Sequence, residues 1–280
     1  KEPGGESAVA RFVYDYFMEL DYFKEHPDYV KCFQTKNDFV ERHSTYAYVK
    51  GTKGDSNRTI ILLGHIDTVG VDDFGAIREY AFKCDELPEK LKETFKLSDE
   101  VLADIESGEY LFGRGALDMK SGVAGHMYLL KYFSEHTDEL DGNIIMIAEC
   151  DEEDNSKGII TAIDELVELK QKEGFKYISC INADYSTNYN PGDENRYIYY
   201  GSIGKLLPCF VAFGKEAHVG QAFSALDPNL LIAEITKRMS LNTELCDIAQ
   251  GEVAIPPVSL KQMDTKGPYT VQTALTGFSY

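Results

Sequence analysis

The sequence is poor in basic residues and has no long apolar run. Its 280 residues include 28 Lys and Arg against 47 Asp and Glu, which gives a formal net charge of -19 and a pI near 4.7. Such a surface repels phosphate groups, so we expect no nucleic-acid partner and no binding to anionic membranes. No apolar stretch approaches the roughly 18 residues of a membrane span and no signal peptide opens the chain, so we expect a cytoplasmic protein.

The six cysteines are scattered, and no C-x-x-C pair is present. Two of them, Cys150 and Cys180, lie inside apolar runs. Cysteines with this distribution are typical of structural thiols in a reducing compartment. We therefore expect buried structural thiols.

The apolar pattern alternates between strand-like and helix-like segments. Short runs with β-branched residues, such as RTIILLGH at residues 58–65, are typical of strands buried on both faces of a sheet. The pattern predicts strands at residues 45–49, 58–65, 143–149 and 177–182, and helices at residues 6–20, 87–95, 123–133 and 158–169. This alternation indicates an α/β fold in which helices sandwich a mixed, largely parallel sheet.

The pattern changes after about residue 201. A strand is predicted at residues 206–213, and a helix is predicted at residues 228–239 with Asp227 as its N-cap and Pro228 in its first turn. The residues from 241 onward are predicted to be rich in loops. We therefore predict a first domain over residues 1–203 and the start of a smaller α/β domain over residues 204–280.

Polar residues follow the predicted strands at their carboxyl ends. His65 and Asp67 follow one strand, the acidic residues 151–153 follow another, Asp184 follows a third, and Asp118 lies in a turn that opens a helix. In open α/β sheets, ligands bind beyond the carboxyl ends of the strands. Imidazole and carboxylate groups bind zinc, and carboxylates shared between ions suit a pair of metals. A metal site at this edge of the sheet is therefore plausible.

Each of these residues also has a structural interpretation. A lone histidine such as His65 is more often hydrogen-bonded in a core or turn than bound to a metal. Asp67 and Asp118 are suited to cap the segments that follow them, Asp184 is suited to a turn, and residues 152–153 are suited to an exposed acidic turn. For any single residue, composition and periodicity do not exclude the structural interpretation. The joint placement of these residues at successive strand ends is what argues against the structural interpretations.

Three ordered motifs resemble the M20 metallopeptidase family. They are LLGHIDTV at residues 62–69, LFGRGALDMKSG at residues 111–122 and DEEDNSKG at residues 151–158. The segments GSIGKLLPCF at 201–210, GKEAHVG at 214–220 and PPVSLKQ at 256–262, with VQT at 271–273, are similar to the arginine-utilisation branch of that family. The resemblance implies a zinc-exopeptidase-like catalytic domain over residues 1–203 and an incomplete lid and dimerisation domain over residues 204–280.

The resemblance implies four metal ligands. His65 and Asp184 would bind one ion, Glu153 would bind a second, and Asp118 would bridge the two. The ions would be zinc, although cobalt and manganese also suit such ligands.

The resemblance also implies three roles beside the metals. Glu152 would be the general base that takes a proton from the bridging water. Asp67 would hydrogen-bond the His65 imidazole and hold its tautomer. His218 would help to bind the substrate carbonyl, reaching the site from a partner subunit in many members, so a homodimer through the lid domain is expected.

The family needs a further ligand, a histidine downstream of the lid domain, and none of the six histidines lies beyond His218. Two interpretations compete. The chain is either a fragment of a longer enzyme, which we favour because the upstream functional positions are intact, or a degenerate member. In both cases we expect the 280 residues to bind metal poorly and to hydrolyse little or nothing.

Three functions therefore compete. The first is a metal-dependent hydrolase that cleaves the amide bond of a dipeptide or an N-acyl amino acid, in a pathway such as arginine breakdown. The second is a non-catalytic protein of the same fold that binds a metal or ligand. The third is a solute-binding or structural α/β domain. Glu152 favours the enzyme, because a binding protein has no need of a base beside the metal ligands.

Overall fold

A computed structural model of the chain describes residues 5–188, 190–201, 204, 206, 208–215, 217–263 and 273–279. The chain divides into two compact units, Lys1–Glu194 and Asn195–Tyr280. The sequence pattern predicts the boundary between the two domains between residues 203 and 204. The catalytic and lid roles of the two parts stay predictions.

The first unit is built on a five-stranded mixed sheet. Its strands are β1 (Val30–Gln34), β2 (His43–Lys50), β3 (Arg58–His65), β4 (Asn143–Glu149) and β5 (Lys176–Asn182). The spatial order is β1-β2-β4-β3-β5, with β3 parallel to β4 and β5, and β2 antiparallel to β1 and β4. Because β3, β4 and β5 are parallel, their carboxyl ends lie at one edge of the sheet.

Helices cover both faces of this sheet, with α1 (Gly5–Met18) and α5 (Ser121–Glu135) on one face and α6 (Lys157–Glu173) on the other. The short helix α2 (Asp21–Glu25) follows α1, and α3 (Leu87–Thr94) and α4 (Asp99–Ser107) lie in the long connection between β3 and β4. The period-two alternation of β4 explains the two cores: Ile144 and Met146 pack with α1 and α5, whereas Ile145 and Ile147 pack with α6. The predicted α/β sandwich with a mixed sheet is confirmed.

The structure also contains elements that the sequence pattern missed. The strand β1 and the helices α2 and α4 were not predicted. Strand β5 was predicted to be buried, and this was wrong: it pairs only with β3 in the described sheet, and Ile178 and Ile181 are 48% and 50% exposed. An apolar run shows that a strand can be buried, but it does not show which element covers it.

The prediction that the cysteines are buried was also wrong in part. All six are free thiols, but only Cys150 is buried, whereas Cys180 and Cys209 are exposed. Cys180 is exposed because it lies on β5, where most side chains are exposed.

Gly158 allows α6 to begin directly against the end of β4. A Cβ atom at this position would lie 2.2 Å from the carbonyl oxygen of Cys150 and 2.7 Å from its backbone nitrogen. Because both atoms belong to the backbone, Gly158→Ala is expected to destabilise the fold by about 1–3 kcal/mol, the usual cost of overpacking. Urea unfolding of the wild type and the variant measures this difference.

Gly125 provides a matched control in a helix. It lies on an exposed part of α5, and nothing would meet its Cβ within 4 Å. Gly125→Ala should therefore leave stability unchanged or raise it by up to about 1 kcal/mol. If Gly158→Ala and Gly125→Ala lose the same free energy of unfolding, the close approach of a Cβ atom to the backbone at Gly158 is not the cause of the loss.

The second unit contains a three-stranded antiparallel sheet in the order β6-β10-β9. Its elements are β6 (Cys209–Phe213), α7 (Pro228–Met239), β7 (Ile248–Ala249), β8 (Glu252–Val253), β9 (Val258–Met263) and β10 (Thr273–Ser279).

The predicted cap is confirmed, because the Asp227 carboxylate accepts the Asn229 N–H at 2.9 Å. The loop-rich prediction after residue 241 was wrong, since four of these strands lie there.

In the part of the chain that the structure describes, no helix combines the length and the apolar character needed to cross a bilayer.

Candidate metal centre

Three of the predicted ligands converge at the carboxyl edge of the sheet. His65 is the last residue of β3, Asp184 lies just past the end of β5, and Asp118 lies in the turn before α5. One ligand atom from each of these residues lies within 4.8 Å of the others, and His65 Nε2 is 3.1 Å from Asp118 Oδ1. We call these three residues the metal cluster. His65 is buried, Asp118 is half-buried and Asp184 is exposed.

A short turn, Ala116–Lys120, carries Asp118 into the cluster. The next residue, Met119, is buried, and its sulfur accepts the backbone N–H of His65 at 3.0 Å. This contact ties the turn to the end of β3. The alternative reading of Asp118 as an N-cap was wrong, because Lys120 is the residue before α5 and no side chain caps that helix.

Asp67 joins the loops that follow β3 and β4. Its two carboxylate oxygens accept the backbone N–H groups of Glu152 and Glu153, each at 3.1 Å, and one of them lies 3.5 Å from His65 Nδ1. Burial would raise the pKa of this carboxyl, but the contact with His65 and the two N–H donors outweigh it and lower the pKa. Asp67 therefore stays ionised and orients both the imidazole and the acidic loop, residues 151–153.

The imidazole of His65 is surrounded by carboxylates. Burial opposes a charge on the ring, but the contact with Asp67 and the charges of Glu152 and Asp118 outweigh it and raise the pKa of His65 to about 9. The same excess of negative charge favours a divalent cation. A metal ion at this ring would take the place of a proton, because only the neutral imidazole binds a metal.

The two glutamates of the acidic loop differ. Glu152 projects toward the cluster, with Oε2 4.0 Å from His65 Nε2, and its side chain is 46% exposed. Burial and repulsion from neighbouring carboxylates raise its pKa. Glu153 is half-buried, and its Oε1 is buried without a hydrogen-bond partner among the residues the structure describes. Glu153 is not part of the metal cluster.

The sequence analysis missed Glu149 as a member of this site. It is the last residue of β4, lies opposite His65 in the parallel register and is only 3% exposed. Burial and the charges of Glu152 and Asp67 raise its pKa to about 7. The signal was present, since a carboxyl at the end of an apolar run such as NIIMIAE is unusual.

A cavity of about 510 Å³ also adjoins Asp67. Its walls come from the start of α1, the loop over residues 66–71, Phe82 and Lys120. Asp118 and Asp184 do not line it. This cavity is therefore not the space between the clustered ligands.

His218 lies in the second unit and is exposed. Its Nδ1 accepts the backbone N–H of Gly220 at 3.0 Å. Residues 202, 203, 205, 207 and 216, which belong to the motif 201–210 and the motif 214–220, lie outside the described residues. The role of His218 in binding a substrate carbonyl stays a prediction.

The donor set fits a divalent cation. An imidazole and carboxylate oxygens at mutual contact distance are ligands that zinc, cobalt and manganese accept. The unpartnered buried oxygen of Glu153 adds a further acceptor on the adjoining loop. An uncompensated buried carboxylate is costly, and a nearby cation would remove that cost.

The mixed α/β sheet and the histidine and carboxylates at its carboxyl edge together define an α/β protein with a candidate metal centre at the edge of its sheet. Residues 61–271, more than half of the chain, match the family described as Peptidase family M20/M25/M40. The chain belongs to this family, so the resemblance drawn from the three motifs is confirmed.

Individual relatives agree with this assignment. The chain is 41% identical over 276 residues to Protein RocB of Bacillus subtilis strain 168, an alignment that covers 99% of this chain and 48% of RocB. A tripeptidase from Staphylococcus aureus has a similar fold, with a TM-score of 0.56, 15% identity and coverage of 100% of this chain and 62% of the tripeptidase. An M20 family metallo-carboxypeptidase from Sulfolobus solfataricus gives a TM-score of 0.53, 12% identity and coverage of 98% and 66%.

The chain spans about half the length of the curated relatives it matches.

Proposed function

We propose that this protein is a metal-dependent hydrolase that cleaves the amide bond of a dipeptide or an N-acyl amino acid. The convergence of His65, Asp118 and Asp184 at the carboxyl edge of the sheet is the observation that carries this proposal. Membership of the M20/M25/M40 peptidase family supports a hydrolase.

In this proposal the site takes two divalent ions, of zinc or else cobalt or manganese. His65 and Asp184 would hold the first ion, Glu153 would hold the second, and Asp118 would be a ligand shared by both. When bound, the ions would supply a water of lowered pKa and polarisation of the scissile carbonyl. The 3.1 Å contact between His65 and Asp118 and the unpartnered oxygen of Glu153 support these assignments.

The remaining roles belong to side chains around the ions. Glu152 acts as the general base, since it faces the cluster and its raised pKa brings it nearer to the working range of a proton carrier. Asp67 holds the His65 ring in its ligating tautomer. His218 binds the substrate carbonyl in the assembled enzyme.

The wider biology belongs to the proposal as well. We place the reaction in arginine breakdown, which the likeness to Protein RocB supports. We place the protein in the cytoplasm as a homodimer formed through residues 204–280, because the resemblance implies a dimerisation domain there.

A second candidate is a non-catalytic protein that retains the fold and binds an ion. The observation that favours it is that, in the described residues, the clustered ligand atoms come from His65, Asp118 and Asp184, a set that would hold one ion without the proposed pair. Assays of the full protein decide between the two candidates.

Removal of metal tests the function. The full protein, treated with a chelator and freed of it, should lose hydrolysis of a panel of dipeptides and N-acyl amino acids, and added zinc, cobalt or manganese should restore it. Chromatographic detection of the released amino acid measures the reaction, and metal analysis gives the number of bound ions.

Two results would separate the candidates. Hydrolysis that persists without metal would contradict the metal-dependent mechanism. Metal binding without hydrolysis of any member of the panel would favour the non-catalytic candidate.

A further inference from the structure

Arg42 forms a buried ionic hub at the start of β2. It lies one residue before the strand and is only 6% exposed. Its Nη1 donates to both oxygens of Asp38, at 2.9 and 2.8 Å, and its Nε forms an ion pair with Glu6 at 3.0 Å. Its Nη2 lies 3.2 Å from Asp151 Oδ1. One guanidinium thus links α1, the β1–β2 connection and the acidic loop.

The contact with Asp151 fixes the first residue of the acidic loop. Asp151 is fully buried and has a positive φ of 65°, a conformation that L-residues rarely adopt. Its second carboxylate oxygen accepts the Lys157 N–H at the start of α6, and its carbonyl oxygen accepts the Ser156 N–H. In the described part of the chain, Arg42 is the cation that faces the buried carboxylate of Asp151.

Glu152 follows Asp151 directly, so the hub acts on the residue we assign as general base. Side chains from outside the loop hold it on two sides, in addition to the contacts of Asp151 with Lys157 and Ser156. Asp67 accepts the N–H groups of Glu152 and Glu153, and Arg42 forms the ion pair with the Asp151 carboxylate. The Glu152 side chain, by contrast, is 46% exposed and has no hydrogen bond to orient it among the described residues. Its direction toward His65 therefore depends on the backbone of the loop.

We propose that Arg42 is a positioning residue, which aims Glu152 at the metal cluster through its ion pair with Asp151. This inference rests on the proposed hydrolase function for its catalytic meaning. The geometry of the hub does not depend on that function. A purely structural role predicts instead that Arg42 stabilises the fold as a whole without a specific effect on the loop.

Hydrogen exchange of individual amides separates these two roles in the full protein. In Arg42→Met, the amides of Glu152 and Glu153 are expected to exchange at least about tenfold faster, because the loop loses its ion pair with Arg42. Arg42→Lys retains a charge but not the planar fork, so it should give an intermediate increase. Asp151→Asn removes the charge of the other partner and should reproduce the direction of the effect if Arg42→Met does not fold.

Glu173→Gln is the matched control. Glu173 is a half-buried carboxylate at the far end of α6, where it forms an ion pair with Lys50, the last residue of β2, and accepts from the Tyr48 hydroxyl. Its loss should lower the midpoint of unfolding but leave exchange at Glu152 and Glu153 within about twofold of wild type. If Glu173→Gln accelerates these two amides as much as the Arg42 variants do, or if all amides accelerate equally in Arg42→Lys, the positioning role is overturned.

Kinetics of the full protein test the catalytic meaning separately. The Arg42→Lys variant should lower kcat about tenfold to a hundredfold with KM within about twofold, since the base is misplaced while the substrate contacts remain. If kcat is unchanged in Arg42→Lys while the amides of Glu152 and Glu153 exchange faster, the proposed link between Arg42 and Glu152 is overturned. If the wild type hydrolyses nothing, the proposed function fails, and the exchange measurements still decide whether Arg42 holds the loop.

Discussion

Asp118→Asn is expected to lower the affinity of the full protein for divalent metal by at least about a hundredfold. The substitution preserves the size of the side chain but removes the charge and the carboxylate that lies 3.1 Å from His65 Nε2. Loss of residues that merely support a metal ligand costs about tenfold to a hundredfold, so loss of a residue that the proposed function assigns as a shared ligand should cost more. Competition with a coloured chelator measures the affinity.

The variant should fold normally, which makes the result interpretable. Asp118 does not cap α5, and the turn that carries it is tied to β3 through Met119 instead. Asp141→Asn, on an exposed turn residue, is the matched control and should bind metal like the wild type. Wild-type affinity in Asp118→Asn would remove Asp118 from the ligand set, even if hydrolysis were lost.

Glu152→Gln is expected to lower kcat by about a hundredfold to ten-thousandfold, the range that general acid–base catalysis contributes. Glutamine is nearly isosteric with glutamate, but its amide cannot take a proton from water. Metal content should remain unchanged, because the clustered ligand atoms belong to His65, Asp118 and Asp184 and not to Glu152. Steady-state kinetics of the metal-loaded full protein, with metal analysis of the same samples, measures both quantities.

Asp154→Asn controls for the loss of one negative charge in this region. Asp154 is exposed and follows the acidic loop directly, so its neutralisation should leave kcat within about twofold of the wild type. Survival of hydrolysis in Glu152→Gln would show that the assigned mechanism is wrong. Loss of metal together with hydrolysis would instead make Glu152 a ligand.

The sequence was sufficient for the features that depend on local order. The apolar runs before His65 and Asp151 predicted strands, and the structure contains β3 and β4 at these positions. Asp227 and Pro228 predicted the start of α7 correctly, because capping depends on neighbouring residues alone. The three ordered motifs sufficed for the family, since the first and third place polar residues at the ends of β3 and β4 and the second places Asp118 in the turn before α5.

The sequence was not sufficient for features that depend on which elements meet. Strand β5 was predicted from an apolar run as β4 was, yet its side chains are exposed because the described elements leave its faces uncovered. Glu149 was missed for the same reason: it enters the site only because β4 lies beside β3 in a register that sets it opposite His65.

The hub around Arg42 shows this limit most clearly. Asp38 lies only four residues from Arg42 in the sequence, but Glu6 and Asp151 come from α1 and from the loop after β4. Nothing in the spacing of Glu6 and Asp151 predicts that they meet Arg42. Local patterns determine which residues end a strand or begin a helix. Ion pairs over such separations form only when packing of the two cores brings the segments together, so the residues that orient the site were decided by the tertiary structure.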